Sequence, residues 1–194
     1  MNLDGVYTAI VHRADPEAPP ASLGSLLHPG PVLLVFVRHF GCTGCSQNVT
    51  DLQPWLRELS ERGVQTVIVG TGKPTHLRGF VERFRLQDYA VEAVTDPTRR
   101  AHTAAGLRRS WWGTLGPRGL WDLLAGFGRG HLNGLPQGDT AQQGGTLLLG
   151  PEVDGAREVV LQHVNQSLAD HAPAVELAEA ALALQARGGA AELA

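Results

Sequence analysis

The segment Val32–Cys45 reads VLLVFVRHFGCTGC, and it decides the fold. Its first part, Val32–Val37, is an unbroken apolar run rich in β-branched residues, which is typical of a strand buried on both faces of an α/β sheet. A short loop then leads to Cys42 and Cys45, and a helix-forming stretch follows. The segment therefore predicts a buried strand that delivers a cysteine pair to the start of a helix.

The stretch after the cysteines predicts an amphipathic helix over Ser46–Arg62. Apolar residues recur there at spacings of three and four, and Gly63 is placed to end the helix. We expect a kink at Pro54, because proline lacks the backbone N–H and presses on the preceding turn. The apolar residues of this helix are Val49, Leu52, Trp55, Leu56 and Leu59.

The remaining chain alternates strand and helix patterns before it ends in a hairpin and a helix. A βαβα order implies parallel pairing with right-handed crossovers. Asp96-Pro97 supplies an N-cap and first-turn pair for the helix that follows. The predicted elements are strands Val6–Val11, Val64–Val69, Val91–Val94, Thr146–Leu149 and Glu158–Val164, and helices Thr75–Arg85, Pro97–Leu107 and Pro173–Ala186.

Composition and length fit a single domain. The chain has 194 residues, of which 43% are hydrophobic and 18% are charged, enough to enclose one core. We predict one domain over 1–194, with a core at about 30–186, an insertion at about 110–145 and a flexible tail at 187–194. The insertion is rich in glycine and holds three of the four tryptophans, and ordered loops of this length tend to be functional.

Charge and cysteine count exclude several classes. A net charge of -3 gives no excess of positive charge to attract a nucleic acid. No apolar run approaches the roughly 18 residues of a membrane span, and the N-terminus has no signal-peptide pattern, so we expect a cytoplasmic protein. One bridge between two cysteines this close cannot hold a chain of this length together, so a disulfide scaffold is excluded.

The cysteine pair carries the chemistry that the sequence predicts. At a helix N-terminus, unpaired N–H groups and the helix dipole stabilise a thiolate, which favours Cys42 as a nucleophile. Cys45 follows one turn later on the same face, close enough to attack a mixed disulfide formed on Cys42. By position, we expect Cys42 to be the more exposed of the two.

Two other interpretations of the pair stay open at this point. Both cysteines could be inert core residues, since free cysteine is often buried. Alternatively His39, Cys42 and Cys45 form a His-X-X-Cys-X-X-Cys pattern that could bind a metal, although no fourth ligand lies nearby in sequence. We predict no metal and no cofactor.

Four arginines, Arg99, Arg100, Arg108 and Arg109, could bind an anionic substrate or form a solvated helix face. The histidines other than His39 have no partner pattern, and we expect them at the surface or in local hydrogen bonds.

Several motifs together resemble a known family, the peroxiredoxin-like AhpC/TSA antioxidant enzymes, which include selenoprotein U and prostamide/prostaglandin F synthase. The likeness spans about residues 30–185 and implies a thioredoxin-like fold, with a central mixed sheet flanked by helices and a redox pair at a helix start. The residues that carry it are Phe40–Cys45, Val64–Gly70, Thr95–Thr98, Ala105–Leu107, Asn133-Gly134, Gly138-Asp139, Gln143–Gly145, His163–Ser167 and Asp170-His171.

Two departures from related patterns bear on mechanism. Peroxiredoxins carry Pro-X-X-X-Thr-X-X-Cys, and here Arg38 and Cys42 stand at the Pro and Thr positions if Cys45 is matched to the peroxidatic cysteine. The hydroxyl that would orient a peroxide is then missing, which favours dithiol chemistry. Thioredoxins place a cis-proline opposite the pair, whereas the similar stretch here is Gly144-Gly145-Thr146, which offers backbone to a substrate.

The resemblance implies an oxidoreductase that reduces a disulfide, a peroxide or a related oxidised substrate, with Cys42 as nucleophile and Cys45 as resolving cysteine. Thioredoxin or glutathione would restore the thiols, and a homodimer is a further option. Arg38 either stabilises the thiolate or is a solvated strand-end charge. Trp111 and Trp112 either wall an apolar substrate pocket or only cover the sheet. The alternatives are a direct peroxidase using Cys42 or Cys45, and a non-catalytic redox sensor or interaction module.

Overall fold

A mixed sheet of five strands organises the residues that the computed structural model describes, which are 1–109, 137–167 and 169–191. The strands are β1 (Ile10–Val11), β2 (Ala21–Ser22), β3 (Val32–Phe36), β4 (Gln65–Gly70), β5 (Glu92–Thr95), β6 (Gly145–Leu149) and β7 (Val159–Val164). The helices are α1 (Leu3–Tyr7), α2 (Thr43–Glu61), α3 (Pro74–Phe84), α4 (Arg100–Ala104) and α5 (Ala174–Ala191), with 3₁₀ turns at Leu23–Leu26 and Leu86–Tyr89.

The strand that precedes the cysteines lies at the centre of the sheet. The strand order is β5-β4-β3-β6-β7, and β1 and β2 form a separate antiparallel pair. β3 pairs in parallel with β4 and antiparallel with β6, while β4–β5 is parallel and β6–β7 is antiparallel. The mixed sheet, the parallel βαβα unit and the final hairpin are therefore confirmed.

Both faces of β3 are covered, as its continuous apolar sequence predicts. Leu33 and Val35 pack with α2, α3 and α5 on one face, while Leu34 and Phe36 pack with α1 and α4 on the other. A side-chain period of two along a strand produces this division. The cysteine pair belongs to the first of these two cores.

α2 begins directly after Cys42 and runs past Pro54 to Glu61. Gly63 follows with φ of 80°, a left-handed conformation that glycine adopts at low cost, and it lets the chain turn into β4. The chain thus passes from the central strand into its longest helix through the loop that carries the cysteines.

Two predicted elements are wrong in detail, and one extends further than predicted. Val6–Val11 is not a strand, because α1 occupies Leu3–Tyr7 with Asn2 accepting the Gly5 N–H, and only β1 follows. The helix after β5 begins at Arg100 and not at Pro97. α5 continues past the predicted end near Ala186.

Most of the predicted insertion, including Trp111 and Trp112, lies outside the described residues. Within the described part of the chain, no helix combines the length and the apolarity that crossing a membrane requires.

Candidate active site

Cys42 is the N-cap residue of α2 and Cys45 lies in the first turn of that helix. The backbone of Cys42 is extended, with φ of -76° and ψ of 127°, and its carbonyl accepts the Ser46 N–H at 3.0 Å and the Ser46 hydroxyl at 2.9 Å. The first-turn N–H groups of a helix carry its positive dipole end. Both cysteines are present as free thiols in this structure.

The two thiols have opposite acidities. The pKa of Cys42 is lowered to about 6, chiefly by a hydrogen bond from the Cys45 thiol; burial opposes this, and the charge of Arg38 and the Gly44 and Cys45 backbone favour it. The pKa of Cys45 is raised, chiefly by burial and next by the hydrogen bond that it donates to Cys42. Near neutral pH the pair therefore holds one thiolate, on Cys42, and one thiol, on Cys45.

Both cysteines are buried to the same degree, each with 2% of its surface exposed. The expectation that Cys42 is the more exposed is wrong. The reason is that the helix start packs into the apolar core, where both sulfurs join a cluster that includes Phe40, Val49 and Ala172. Access to Cys42 therefore requires a small reactant or a local movement of the loop.

Arg38 links the cysteine pair to the segment that precedes β6. Its backbone N–H donates to the Cys45 sulfur at 3.2 Å, and its guanidinium donates to the carbonyls of Gln142, at 2.8 Å, and Thr140. With 4% of its surface exposed, Arg38 is not a solvated strand-end charge, and that alternative is wrong. A buried guanidinium beside two thiols favours their thiolate forms, as the lowered pKa of Cys42 reflects.

Gly144-Gly145-Thr146 lies at the start of β6, beside the end of β3. Gly145 pairs with Phe36 and Thr146 with Val35, and all three residues are buried. A Cβ atom at Gly144 would lie 2.7 Å from the Phe36 carbonyl oxygen, so close backbone approach requires glycine there. No cis peptide bond occurs among the residues that the structure describes.

The similarities to known proteins agree with this sheet and identify the family of the chain. A family model described as AhpC/TSA antioxidant enzyme matches residues 50–167. Peroxiredoxin-like 2C of Bos taurus is 30% identical over 169 residues, which cover 82% of this chain and 71% of that protein. The chain belongs to the AhpC/TSA antioxidant-enzyme family. The matched range begins after the cysteine pair of this AhpC/TSA family member.

Two further likenesses extend the assignment. Prostamide/prostaglandin F synthase of Salmo salar is 25% identical over 184 residues, 93% of this chain and 88% of that protein. The structure of peroxiredoxin Q from Xanthomonas campestris matches with a TM-score of 0.58 at 15% identity, covering 95% of this chain and 93% of that one. The second likeness concerns the fold alone, and it confirms the thioredoxin-like architecture of this AhpC/TSA family member.

His39 lies in the loop before Cys42 and is almost completely buried. Burial, followed by the charge of Arg38, lowers the pKa of His39 to about 4, so the ring is neutral near neutral pH. Its Nδ1 atom is buried and has no hydrogen-bond partner among the described residues. Within 1–109, 137–167 and 169–191, no group of three or more His, Cys, Asp or Glu side chains is arranged to hold a metal ion.

Two buried histidines of the AhpC/TSA family member were not singled out by their sequence pattern. His102 is fully buried between the Asp96 carboxylate, at 3.1 Å, and the Val37 carbonyl, at 3.2 Å. The His171 Nδ1 atom lies 2.8 Å from the Asn165 amide nitrogen. Burial lowers the pKa of His171, against the effect of the adjacent Gly44 backbone. The local Asp-Pro-X-X-X-X-His spacing offers a weak signal for His102, whereas the position of His171 depends on the folded loop.

Two of the four arginines considered as a possible anion site meet the same carboxylate. Arg99 and Arg109 contact Asp139 at 2.5 and 2.8 Å. Asp139 also donates its N–H to Thr71 Oγ1, and that hydroxyl donates to the Arg38 carbonyl. These arginines therefore help to anchor the segment that holds Arg38.

Proposed function

We propose that this AhpC/TSA family member is a dithiol oxidoreductase in which Cys42 attacks an oxidised substrate and Cys45 resolves the intermediate. The observation that carries the proposal is the unequal acidity of the two thiols at one helix start. The lowered pKa of Cys42 and the raised pKa of Cys45 support a division into nucleophile and resolving thiol.

With a disulfide substrate, the Cys42 thiolate attacks one sulfur, forms a mixed disulfide and expels the other sulfur as a thiolate. Cys45 then loses its proton to solvent or to the departing group and attacks the Cys42 sulfur. The products are a Cys42–Cys45 disulfide and a second substrate thiol, so two electrons pass from the pair to the substrate. An external dithiol such as thioredoxin, or two molecules of glutathione, returns those electrons.

With a hydroperoxide substrate, the Cys42 thiolate attacks the distal peroxide oxygen, and the alkoxide leaves and takes a proton. The resulting sulfenic acid is attacked by Cys45, which yields the same Cys42–Cys45 disulfide and one water. The burial of both sulfurs favours this second candidate function, a direct peroxidase, because a small peroxide needs less room than a protein disulfide.

Arg38 has a stabilising role in both reactions. Its charge favours the Cys42 thiolate before attack, and it also favours the Cys45 thiolate that must form afterwards. Gly144, Gly145 and Thr146 remain proposed backbone contacts for the substrate, and Trp111 and Trp112 remain proposed walls of its pocket.

The test is to trap the mixed disulfide. A Cys45→Ser variant treated with an aromatic disulfide is expected to accumulate a stable adduct on Cys42, identified by peptide mass spectrometry, while the wild type releases two equivalents of thiol and closes its own disulfide. Cys42→Ser is the control and should form no adduct at a comparable rate. Recycling of the oxidised wild type by thioredoxin or glutathione tests the proposed reductants.

Two results would contradict the proposal. If hydrogen peroxide gives a sulfenic acid on Cys45 while Cys42 resists alkylation near neutral pH, the two roles are exchanged. If neither cysteine reacts faster than a free thiol, the pair is not catalytic, and the redox-sensor or interaction-module alternative gains.

A further inference from the structure

A small open cavity lies beside the loop that carries the cysteines. It has a volume of about 180 Å³, and its lining includes Phe40, Thr75, His76, Phe80 and Arg83. Phe40 stands two positions before Cys42 in the chain, so the cavity adjoins the loop that leads into the proposed nucleophile.

The cavity combines an apolar floor with a cationic rim. Phe40 and Phe80 are buried, with ring centroids 5.3 Å apart. The Arg83 guanidinium lies over the Phe80 ring at 5.5 Å and over the Phe84 ring at 4.7 Å, at distances where a cation is attracted to an aromatic face. An apolar floor beside a fixed polar group is the usual composition of a small-molecule site.

The position of the Arg83 guanidinium is fixed by the loop itself. One terminal nitrogen donates to the Phe40 carbonyl and to Ser46 Oγ, each at 3.1 Å. Because the Ser46 hydroxyl donates in turn to the Cys42 carbonyl at 2.9 Å, Arg83 is two hydrogen bonds away from Cys42. A group held by Arg83 would therefore be held next to the redox pair.

Arg83 has no carboxylate partner among the residues that the structure describes. Its other guanidinium N–H groups have no acceptor within that part of the chain either. Several other arginines do have a carboxylate partner, and these are Arg13, Arg85, Arg99, Arg109 and Arg157. The described lining of the cavity also contains no acidic residue. The remaining donors of Arg83 are thus suited to an anion brought by a ligand.

We propose that this cavity is a subsite for a small carboxylate-bearing group of the oxidised substrate, with its apolar body on Phe40 and Phe80 and its carboxylate on Arg83. The inference rests on the proposed function and specifies its substrate class. A planar carboxylate matches the guanidinium fork. A cavity of about 150 Å³ is known to hold benzene, so the volume here suits one ring with a small substituent.

The test compares two aromatic disulfides of similar shape, the anionic dithiobis(nitrobenzoate) and the neutral dithiodipyridine. Both react with the same Cys42 thiolate, so the ratio of their rate constants is independent of the pKa of Cys42. Arg83→Gln is expected to lower the ratio of anionic to neutral rates about tenfold, in line with the loss of a charged hydrogen bond. Arg83→Lys should give an intermediate ratio, because it keeps the charge and loses the fork.

Arg78→Gln is the matched control, since Arg78 is exposed on the same helix and carries the same charge. It is expected to change the ratio by less than about twofold, as a distant screened charge does. Benzoate should also slow the anionic reagent competitively in the wild type and not in Arg83→Gln. Equal losses in Arg83→Gln and Arg78→Gln would overturn the subsite, and so would equal slowing of both reagents in Arg83→Gln.

The subsite and the proposed function fail in different ways. If neither disulfide reacts with Cys42, the proposed function fails. Benzoate binding measured by NMR titration in wild type and Arg83→Gln still decides the subsite. If benzoate binds both proteins equally while Cys42 reacts normally, the subsite alone fails.

Discussion

Two buried polar clusters lie at the carboxyl ends of the parallel strands, and they differ in how the negative charge of each is stabilised. One is the cysteine loop after β3, and the other is the Asp96–His102 pair after β5. Both are almost inaccessible to solvent. The hydrogen bonds within each cluster indicate that the Asp96–His102 pair stabilises the fold, whereas the cysteine loop is suited to reaction.

The Asp96 cluster satisfies its charge within the protein. The carboxylate accepts N–H groups from Arg100 at 3.1 Å, Ala101 at 2.9 Å and His102 at 3.3 Å, together with the Thr98 hydroxyl at 2.9 Å. Burial raises the pKa of Asp96, but these bonds and His102 outweigh it, so the net pKa lies below its usual range. A buried carboxylate with all of these hydrogen bonds stabilises the fold.

In the cysteine cluster, the negative charge on Cys42 is stabilised only while both cysteines are reduced. The Cys42 thiolate depends on the proton of Cys45 and on Arg38, and both thiols are consumed when the disulfide forms. His39, in the same loop, has a buried Nδ1 atom that finds no partner in the part of the chain that the structure describes. The Asp96 carboxylate has stable hydrogen-bond partners within the folded protein. The Cys42 thiolate, in contrast, exists only in the reduced state and is lost when the disulfide forms.

The largest effect is expected from a substitution in the Asp96 cluster. Asp96→Ala removes the acceptor of three backbone N–H groups and leaves the His102 Nδ1 atom without its partner, so we expect the free energy of unfolding to fall by about 3 kcal/mol, measured by urea denaturation. Asp15→Ala is the control, because Asp15 is exposed and, within the described part of the chain, its carboxylate accepts a hydrogen bond only from the Glu17 N–H; the loss should stay within about 0.5 kcal/mol.

The same variant sharpens the contrast through reactivity. In the folded fraction of Asp96→Ala, alkylation of Cys42 should stay within about threefold of the wild type, because Asp96 is not among the groups that lower the pKa of Cys42. A tenfold loss of Cys42 reactivity at unchanged stability would reverse the roles of the two clusters.

The second prediction concerns the proton shared by the thiols. Cys45→Ala removes the largest contribution to the low pKa of Cys42, so the thiolate becomes less favoured and the midpoint of alkylation against pH should rise from about 6 by at least one unit. Reactivity at the wild-type midpoint then falls about fivefold, in proportion to the thiolate fraction. The measurement is the iodoacetamide rate across the pH range.

Ser46→Ala is the matched control for that shift. Ser46 bonds the Cys42 carbonyl and not its sulfur, so its removal should leave the midpoint nearly unchanged. If both variants move the midpoint equally, the low pKa arises from the helix start as a whole and not from Cys45.

The sequence predicted those features of the two clusters that depend on short-range sequence patterns. Val32–Cys45 indicated the central strand, the helix start and the cysteine pair, because each has a short-range signature. It did not predict the bond between Arg38 and the Gln142 carbonyl, since these residues lie 104 positions apart and meet only because β6 pairs with β3. The helix after Asp96 begins late because Arg99 adopts a left-handed conformation, with φ of 60°, which the Asp-Pro pattern does not indicate.

Burial was the least predictable property of the site. Cys42 is covered because residues distant in sequence, such as Ala172, pack in the same core. For the same reason burial lowers the pKa values of His39 and His171. Nothing in the neighbouring sequence distinguishes His171 from a surface histidine, and the cysteine pattern that marks His39 does not indicate its burial.

The smallest expected effect uses acid to separate the two clusters. The pKa of His39 is lowered to about 4 in the folded chain, below the ordinary value of 6.5. The unfolded chain therefore binds more protons than the folded one between these values, and the free energy of unfolding rises with pH in that window. From about pH 6.5 down to about pH 5.5, His39 should account for a loss of about 1 kcal/mol.

His39→Gln should flatten this part of the curve, measured by urea denaturation at a series of pH values. His171→Gln provides the comparison, because burial lowers the pKa of His171 in the same direction, whereas the Cys42 thiol, whose pKa is lowered to about 6, contributes equally to the slope of both variants. Asp96 does not titrate in this window, since its pKa lies below the usual carboxyl range. A slope in His39→Gln equal to that of the wild type would contradict the assignment of this acid sensitivity to His39 and would remove this distinction between the two clusters.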